Sequence, residues 1–163
     1  MVKMRLTAVR VEVPTSTPIL LLQEAGGANR TLPIYIGPAE AQAIAYAQQG
    51  VATPRPMTHD LMRDLLSALG ATVECVVITE LRDRTFYAEI RLSSGGQHHS
   101  VSARPSDAIA LAARIDATIY AEDDLLDAEG VVLRTDDEAG EPDELLSQFK
   151  EFIQGIRPED FET

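Results

Sequence analysis

Apolar residues are spaced in two ways along the chain, one typical of strands and one typical of helices, and the two kinds of stretch occur in alternating blocks. Apolar residues at every second position, or short runs rich in Val, Ile and Leu, are typical of strands. Such stretches occur at residues 4–13, 18–24, 31–37, 71–81, 84–93, 98–104 and 117–121. Ala-rich or helically spaced apolar stretches predict helices at residues 38–49, 58–69, 105–114 and 145–156.

The order of these predicted elements indicates the fold class. Three strands precede the first two helices, three more strands follow them, and then come a helix, a short strand and a closing helix. Helices grouped after runs of strands are typical of α+β proteins rather than of doubly wound α/β proteins. The sequence therefore predicts a single two-layer α+β domain, with a mostly antiparallel or mixed sheet and its helices on one face.

The last quarter of the chain differs in charge from the rest. Residues 121–163 hold 15 Asp and Glu against 3 Lys and Arg, whereas residues 1–120 hold 11 of each, so the formal net charge of -12 arises near the C-terminus. The polar stretch RTDDEAGEP precedes an apolar stripe from Leu145 to Ile156. We predict a domain over residues 1–133, followed over residues 134–163 by an acidic linker and an amphipathic helix. This helix is expected to pack on the domain, a neighbouring subunit or a protein partner.

Composition limits the cellular location and the cofactors. No apolar run approaches the roughly 20 residues of a membrane span, and the N-terminal residues alternate instead of forming a signal-peptide core. We therefore expect a cytoplasmic protein with no membrane partner. The single Cys75 cannot form an internal disulfide, and its apolar neighbours favour a core thiol. The sequence has no phosphate-loop glycine pattern and no zinc-finger spacing, and we expect no organic cofactor.

An Arg-Pro pair stands just ahead of two predicted helix starts, in RPMTHDL and in RPSDAIALAAR. In both segments a hydroxyl residue and an aspartate follow. A helix N-terminus offers unpaired N–H groups and a partial positive charge, and an arginine adds a planar fork that matches phosphate. The two segments would then bind one phosphodiester between them, through Arg55 and Thr58 of the first and Arg104 and Ser106 of the second.

The aspartates of these segments suggest metal-assisted chemistry. Asp60 and Asp107 lie in the first helical turns, where they compete with an incoming phosphate unless a cation stands between them. Glu40, Asp60 and Asp64 are therefore predicted to hold Mg²⁺ or Mn²⁺. The predicted catalytic residues are His59, Asp60 and Asp107. His59 would transfer a proton, because it points about 100° away from Asp60, while Asp107 would join the ion or orient the neighbouring arginine.

A purely structural interpretation of the same residues stays open. Thr58 and Ser106 would then be ordinary N-caps, and Asp60 and Asp107 would interact favourably with the helix dipoles. The two arginines would pair with those aspartates across the domain.

Several blocks taken together resemble the bifunctional nuclease domain family. They are LPIYIGPAEAQAIA, RPMTHDL, LLSALGATVECVVI, TFYAEIRL and RPSDAIALAAR, which occur in this order within about residues 5–133. The resemblance implies an α+β domain, an oligomer, and nuclease activity towards both RNA and DNA. It supplies no assigned catalytic residues. Some members carry an extra helical interaction module after the domain, where this chain has the acidic stretch and one apolar helix.

Two functions from different classes follow. The first is a nuclease that cleaves phosphodiester bonds of RNA and DNA with the help of a divalent metal. The second is a noncatalytic regulatory or scaffold domain whose Arg-Pro elements are structural. In both cases we expect a homo-oligomer, because a sheet of this size with few aromatic residues leaves apolar surface to cover.

Overall fold

Eight strands of the described chain form one open mixed sheet. The computed structural model describes residues 1–12 and 15–132. The predicted acidic linker, the C-terminal helix and the boundary at residue 133 lie outside the described residues. The strands are β1 (Val2–Val11), β2 (Pro18–Glu24), β3 (Arg30–Tyr35), β4 (Thr72–Arg82), β5 (Thr85–Ser94), β6 (Gln97–Ala103), β7 (Thr118–Ala121) and β8 (Val131–Val132).

The sheet has the spatial order β6-β5-β4-β7-β1-β2-β3-β8. Neighbouring strands are antiparallel throughout, except that β4 and β7 run parallel, with Val76 opposite Ile119. The β4–β5 hairpin turns through Asp83 and Arg84, which both have positive φ. A two-residue turn of that conformation matches the right-handed twist of the paired strands. The mixed, mostly antiparallel sheet was predicted correctly.

Four helices of the described chain contribute to one core on one face of the sheet. They are α1 (Pro38–Gln48), α2 (Thr58–Ala68), α3 (Pro105–Ile115) and α4 (Asp123–Glu129). Alternation along the strands supplies the facing residues, such as Leu20 and Leu22 of β2, which are fully buried. The alanines Ala108, Ala110 and Ala112 let α3 lie close to the sheet and to α1. The α+β class with helices on one face is therefore confirmed.

The helix α4 and the two-residue strand β8 were not predicted. α4 has only seven residues, too few for a helical period to emerge from the sequence. Its two leucines, Leu125 and Leu126, are buried in the common core. Four of its seven residues are acidic, which leaves little apolar pattern to detect.

Helix α2 buries only one side of its apolar arc. Met62 and Leu66 pack on the core. Leu61, Leu65 and Leu69 are 52%, 54% and 75% exposed, and we call these three residues the leucine ridge. The sequence predicted all four leucines on one apolar face, but only Leu66 faces the core. The apolar arc of α2 is wider than the contact between α2 and α3, so the rest of the domain covers only one side of the arc.

Candidate active site

The centre of the site is the start of α3. β6 ends at Ala103 and α3 begins at Pro105, so Arg104 is the only residue between strand and helix. Its backbone is extended, and Pro105 occupies the first helical position, where the missing N–H costs nothing. From this corner the guanidinium reaches forward to Asp107, with Nε donating to Oδ2 at 2.7 Å and Nη2 donating to Oδ1 at 3.1 Å.

Arg104 also joins α1 to this corner. Nη2 donates to Glu40 Oε1 at 2.9 Å. Glu40 lies in the first turn of α1 and folds back over Gly37, where a Cβ would collide with its carboxylate. The Arg104 side chain is 67% exposed, and its Nη1 group makes no hydrogen bond among the described residues. The arginine is therefore held on one edge and open to solvent on the other.

His59 brings α2 to the same aspartate. Its Nε2 lies 3.1 Å from Asp107 Oδ1, and because a carboxylate only accepts, Nε2 carries the proton and donates it. The other ring nitrogen, Nδ1, has no hydrogen-bond partner in the described part of the chain. Two side-chain polar atoms of the described residues are fully enclosed and have no hydrogen-bond partner, namely Thr31 Oγ1 and Tyr35 Oη. Nδ1 of His59 is not one of them. Nδ1 is therefore not fully enclosed, although the residue as a whole is only 7% exposed.

Opposing influences set the pKa of Asp107. Burial is the largest of them and by itself would raise the pKa. The hydrogen bonds from Arg104 and His59, together with their charges, outweigh burial and hold the pKa of Asp107 below its ordinary value of 3.8. Asp107 is therefore an anion at neutral pH, and it orients the imidazole and the guanidinium at once.

Asp60 has a different environment from the one the sequence suggested. Its Oδ2 accepts the backbone N–H of Met57 at 3.0 Å, and its Oδ1 accepts Arg114 Nε at 2.6 Å. The Arg114 side chain is 5% exposed, and its Nη1 also donates to the Ala110 carbonyl at 2.7 Å. Asp60 thus caps α2 and ties its first turn to the last turn of α3. The catalytic role of Asp60 stays a prediction, while its contacts are those of a helix clamp.

The other predicted site residues differ in whether their side chains form ion pairs or hydrogen bonds. Asp64 pairs with Arg63 on the surface at 2.8 Å. Arg55 is exposed and makes no ion pair within the described residues. Neither hydroxyl residue caps its helix: Thr58 is the first residue of α2 after the N-cap Met57, and Ser106 lies inside α3. The capping interpretation of these hydroxyls was wrong, because each helix begins one or two residues earlier than that interpretation required.

The predicted metal ligands do not fit a metal ion in this arrangement. Glu40, Asp60 and Asp64 each pair with a different arginine, and a divalent ion would have to displace those cations. No group of three or more His, Cys, Asp or Glu side chains within residues 1–12 and 15–132 is placed to hold a metal. The divalent ion stays a prediction.

Arg114 was not among the site residues predicted from the sequence. The signal was present, since Arg114 is the only charged residue of α3 after its first turn and follows a run of apolar residues. A cation in the last turn of an otherwise buried helix needs an acceptor, and Asp60 supplies it. The structure therefore brings together Glu40, His59, Arg104 and Asp107 in one network and places Asp60 in a second, neighbouring one.

Replacing Asp60 with Asn should destabilise the fold in a pH-dependent way. The hydrogen bond from Arg114, followed by that from the Met57 N–H, holds the pKa of Asp60 below its ordinary value of 3.8. The carboxylate therefore contributes stability that is fully present above about pH 4 and is lost as the pH falls through its folded-state pKa. At pH 7 we expect a loss of about 2 kcal/mol, since the pair is largely buried.

Urea unfolding of both proteins between pH 7 and pH 3 measures this effect. The difference in the free energy of unfolding between wild type and Asp60→Asn should shrink as the pH falls. Asp64→Asn is the matched control, because its arginine pair is exposed and should contribute less than about 1 kcal/mol. A difference that stays constant down to pH 3 would contradict the clamp.

The structure and the sequence comparisons together define the class of protein. A family model described as the bifunctional nuclease domain matches residues 20–134. The chain therefore belongs to the bifunctional nuclease domain family, as the quoted blocks indicated.

Named relatives lie at two levels of similarity. A Mycobacterium tuberculosis protein described only as uncharacterized is 44% identical over 165 residues, which cover 99% of this chain and 98% of that protein. Bifunctional nuclease 2 of Arabidopsis thaliana is 27% identical over 121 residues, covering 72% of this chain and 36% of the plant protein. Bifunctional nuclease 1 of Oryza sativa subsp. indica is 25% identical over 118 residues, covering 71% of this chain and 35% of the plant protein.

None of the described helices combines the length and the apolar character that a membrane crossing requires.

Proposed function

We propose that this protein is a nuclease that cleaves phosphodiester bonds of RNA and DNA. The observation that carries the proposal is the connected set of side chains at the start of α3. There Asp107 holds an imidazole on one side and a guanidinium on the other, and each of these groups keeps a nitrogen without a hydrogen-bond partner among the described residues. The family and the names of the plant relatives support the same reaction class.

Each group of this set has a defined role in the proposal. The open Nη1 of Arg104 donates to a phosphate oxygen and stabilises the charge that develops on it. The unpaired Nδ1 of His59 is the proton acceptor, because Nε2 carries the hydrogen of the hydrogen bond to Asp107. Arg55 and Ser106 are secondary substrate contacts, since Arg55 is exposed and the Ser106 hydroxyl makes no hydrogen bond among the described residues.

The test is a cleavage assay on the purified full chain. Labelled single-stranded and duplex RNA and DNA of one sequence are incubated with Mg²⁺, with Mn²⁺ and with chelator. We expect cleavage that elutes with the protein and is lost in the Asp107→Asn variant. Cleavage that persists unchanged in this variant would come from a contaminant, and the absence of cleavage under all conditions would refute the proposal.

The leucine ridge favours a second function, that of an interaction domain. Leu61, Leu65 and Leu69 are spaced four residues apart, and such a row packs into the grooves of an identical helix. A two-fold contact needs a surface that complements itself, which a single row of leucines does. We therefore propose a second copy of this chain as its occupant, in line with the expected homo-oligomer. Assembly and catalysis are compatible, so both proposals can hold.

Replacing Leu65 with Glu should weaken this assembly. Leu65 is the middle residue of the ridge, and a two-fold contact would lose two buried leucines and enclose two carboxylates. We expect the dissociation constant measured by light scattering or sedimentation to rise at least about tenfold. Val11→Glu is the control, because Val11 is similarly exposed on β1. A wild-type chain that is monomeric at micromolar concentration would refute the ridge as a self-association surface.

A further inference from the structure

The strand β6 forms an open edge of the sheet. It stands last in the strand order, and among the described residues only β5 pairs with it. Every second residue of such a strand directs its N–H and C=O groups away from the sheet, where they can pair with another strand. The opposite edge differs, because β8 has only two residues, Val131 and Val132. Within the described chain, the sheet therefore has one long open edge.

β6 also lacks the features by which sheet edges avoid pairing with one another. Proline, charged side chains and bulges are the common ones. The strand QHHSVSA (Gln97–Ala103) contains no Pro, Lys, Arg, Asp or Glu. Its register with β5 runs without a shift over all seven residues, whereas β1 and β4 carry bulges. The outer edge of β6 is therefore regular along its whole length.

An apolar row on the helix-covered face of the sheet ends in solvent at this edge. Ile90 of β5 is buried in the core, and Val101, its neighbour on β6, is 47% exposed. Side chains directly opposite each other on paired strands cover one another. A further strand beside β6 would therefore gain backbone hydrogen bonds and also bury the open side of this apolar row.

We propose that β6 pairs antiparallel with β6 of a second copy of this chain. A two-fold axis perpendicular to the sheet places each strand against its own copy, so the donors of one edge meet the acceptors of an identical edge. Because β6 contains no Lys, Arg, Asp or Glu, this pairing sets no such charges opposite each other. The contact is separate from the leucine ridge, which lies on α2, and it does not depend on the proposed nuclease activity.

This pairing fixes how the two candidate active sites lie relative to each other. The axis passes near Ser100, the middle residue of β6, because that register pairs all seven residues. Arg104 then lies four positions from the axis in each copy, and at about 3.4 Å per residue the two Arg104 backbones are about 27 Å apart along the strands. Both sites lie on the same face of the joined sheet, since rotation about this axis leaves the faces unchanged. The partner's β5–β6 turn then lies beside each site.

Cross-linking of single cysteines along β6 tests this pairing. The background is the full chain with Cys75→Ala, which removes the native thiol, and Leu65→Glu, which disrupts the leucine ridge. Only the residue on the axis faces its own copy, with Cβ atoms about 5 Å apart, while the next residues are offset by about 7 Å along the strands. Under mild oxidation we expect one of five variants to form a linked dimer at least about tenfold faster than the others. The variants are His98→Cys, His99→Cys, Ser100→Cys, Val101→Cys and Ser102→Cys.

Sedimentation measures the same contact without a cross-link. The Leu65→Glu chain should dimerise, and adding Val101→Lys should raise the dissociation constant at least about tenfold, because an edge lysine disfavours strand pairing and two of them repel across the axis. Val11→Lys is the matched control, since Val11 is an exposed strand valine outside β6, and it should leave the dissociation constant within about twofold.

Three outcomes would overturn the proposal. The first is equally slow cross-linking at all five positions. The second is a Leu65→Glu chain that stays monomeric at high micromolar concentration. The third is a folded Val101→Lys variant that dimerises as tightly as its parent. Each of them leaves the nuclease proposal intact, because cleavage is measured separately.

Discussion

Replacing His59 with Gln is expected to lower the rate of RNA cleavage by a hundredfold or more. A positioned general acid or base typically contributes a factor of about 10² to 10⁴. The glutamine amide has a similar reach and retains an N–H that can donate to Asp107, so the contact between α2 and α3 is preserved in part. What the variant loses is the ring nitrogen that accepts a proton.

Single-turnover cleavage of an RNA oligonucleotide measures this effect, and thermal unfolding checks that the variant is folded. His98→Gln provides the matched control, since His98 also pairs with a carboxylate, at 2.8 Å from Glu74, but lies on the exposed edge strand. We expect this control to cleave within about twofold of wild type. A His59→Gln protein that is folded and cleaves at the wild-type rate would remove the imidazole from the mechanism.

Replacing Asp107 with Asn is expected to have the other large effect. The carboxylate accepts from His59 and twice from Arg104, and the amide cannot satisfy all three donors. The imidazole would lose the partner that keeps the proton on Nε2, and the guanidinium would lose at least one of its three hydrogen bonds. Because both functional groups are disturbed at once, we expect cleavage to fall by roughly a hundredfold to a thousandfold.

Separate measurements of kcat and KM distinguish the two parts of this effect. Loss of imidazole orientation should lower kcat, whereas loss of the arginine position should raise KM as well. Glu40→Gln is the comparison variant, because it removes a charge that supports only Arg104. It should lower kcat less than Asp107→Asn does, because the imidazole keeps its partner. An Asp107→Asn variant with wild-type kcat and KM would leave the network without a role in catalysis.

The order of the strands and helices could be predicted from the sequence. The face of α2 that packs on the core could not. Helical spacing in α2 marks an apolar arc that includes Leu61, Leu65, Leu66 and Leu69. Periodicity shows that such an arc exists, yet it does not show how much of the arc the neighbouring helix covers. The packing of α2 on α3 turns Leu66 inward and leaves the leucine ridge in solvent.

The two Arg-Pro segments look equivalent in the sequence and are not equivalent in the structure. Before α3 the strand runs directly into the helix, so Arg104 sits at a tight corner and its side chain bends over Asp107. Before α2 a connector intervenes, and Arg55 stays exposed. Asp60 then pairs with Arg114, 54 positions further along the chain. Similar local motifs thus received different partners because their flanking connections differ.

The sequence by itself determined the α+β class, the mixed sheet, the approximate positions of the long elements and the family, because these depend on apolar periodicity and on local motifs. It also singled out Glu40, His59, Arg104 and Asp107 as candidates. Only the tertiary structure decided which of them share a network, because the hydrogen bonds join residues of three helices that lie up to 64 positions apart in the sequence. Pairing between charges so distant in the chain depends on how α1, α2 and α3 pack on the sheet, and no local pattern encodes that packing.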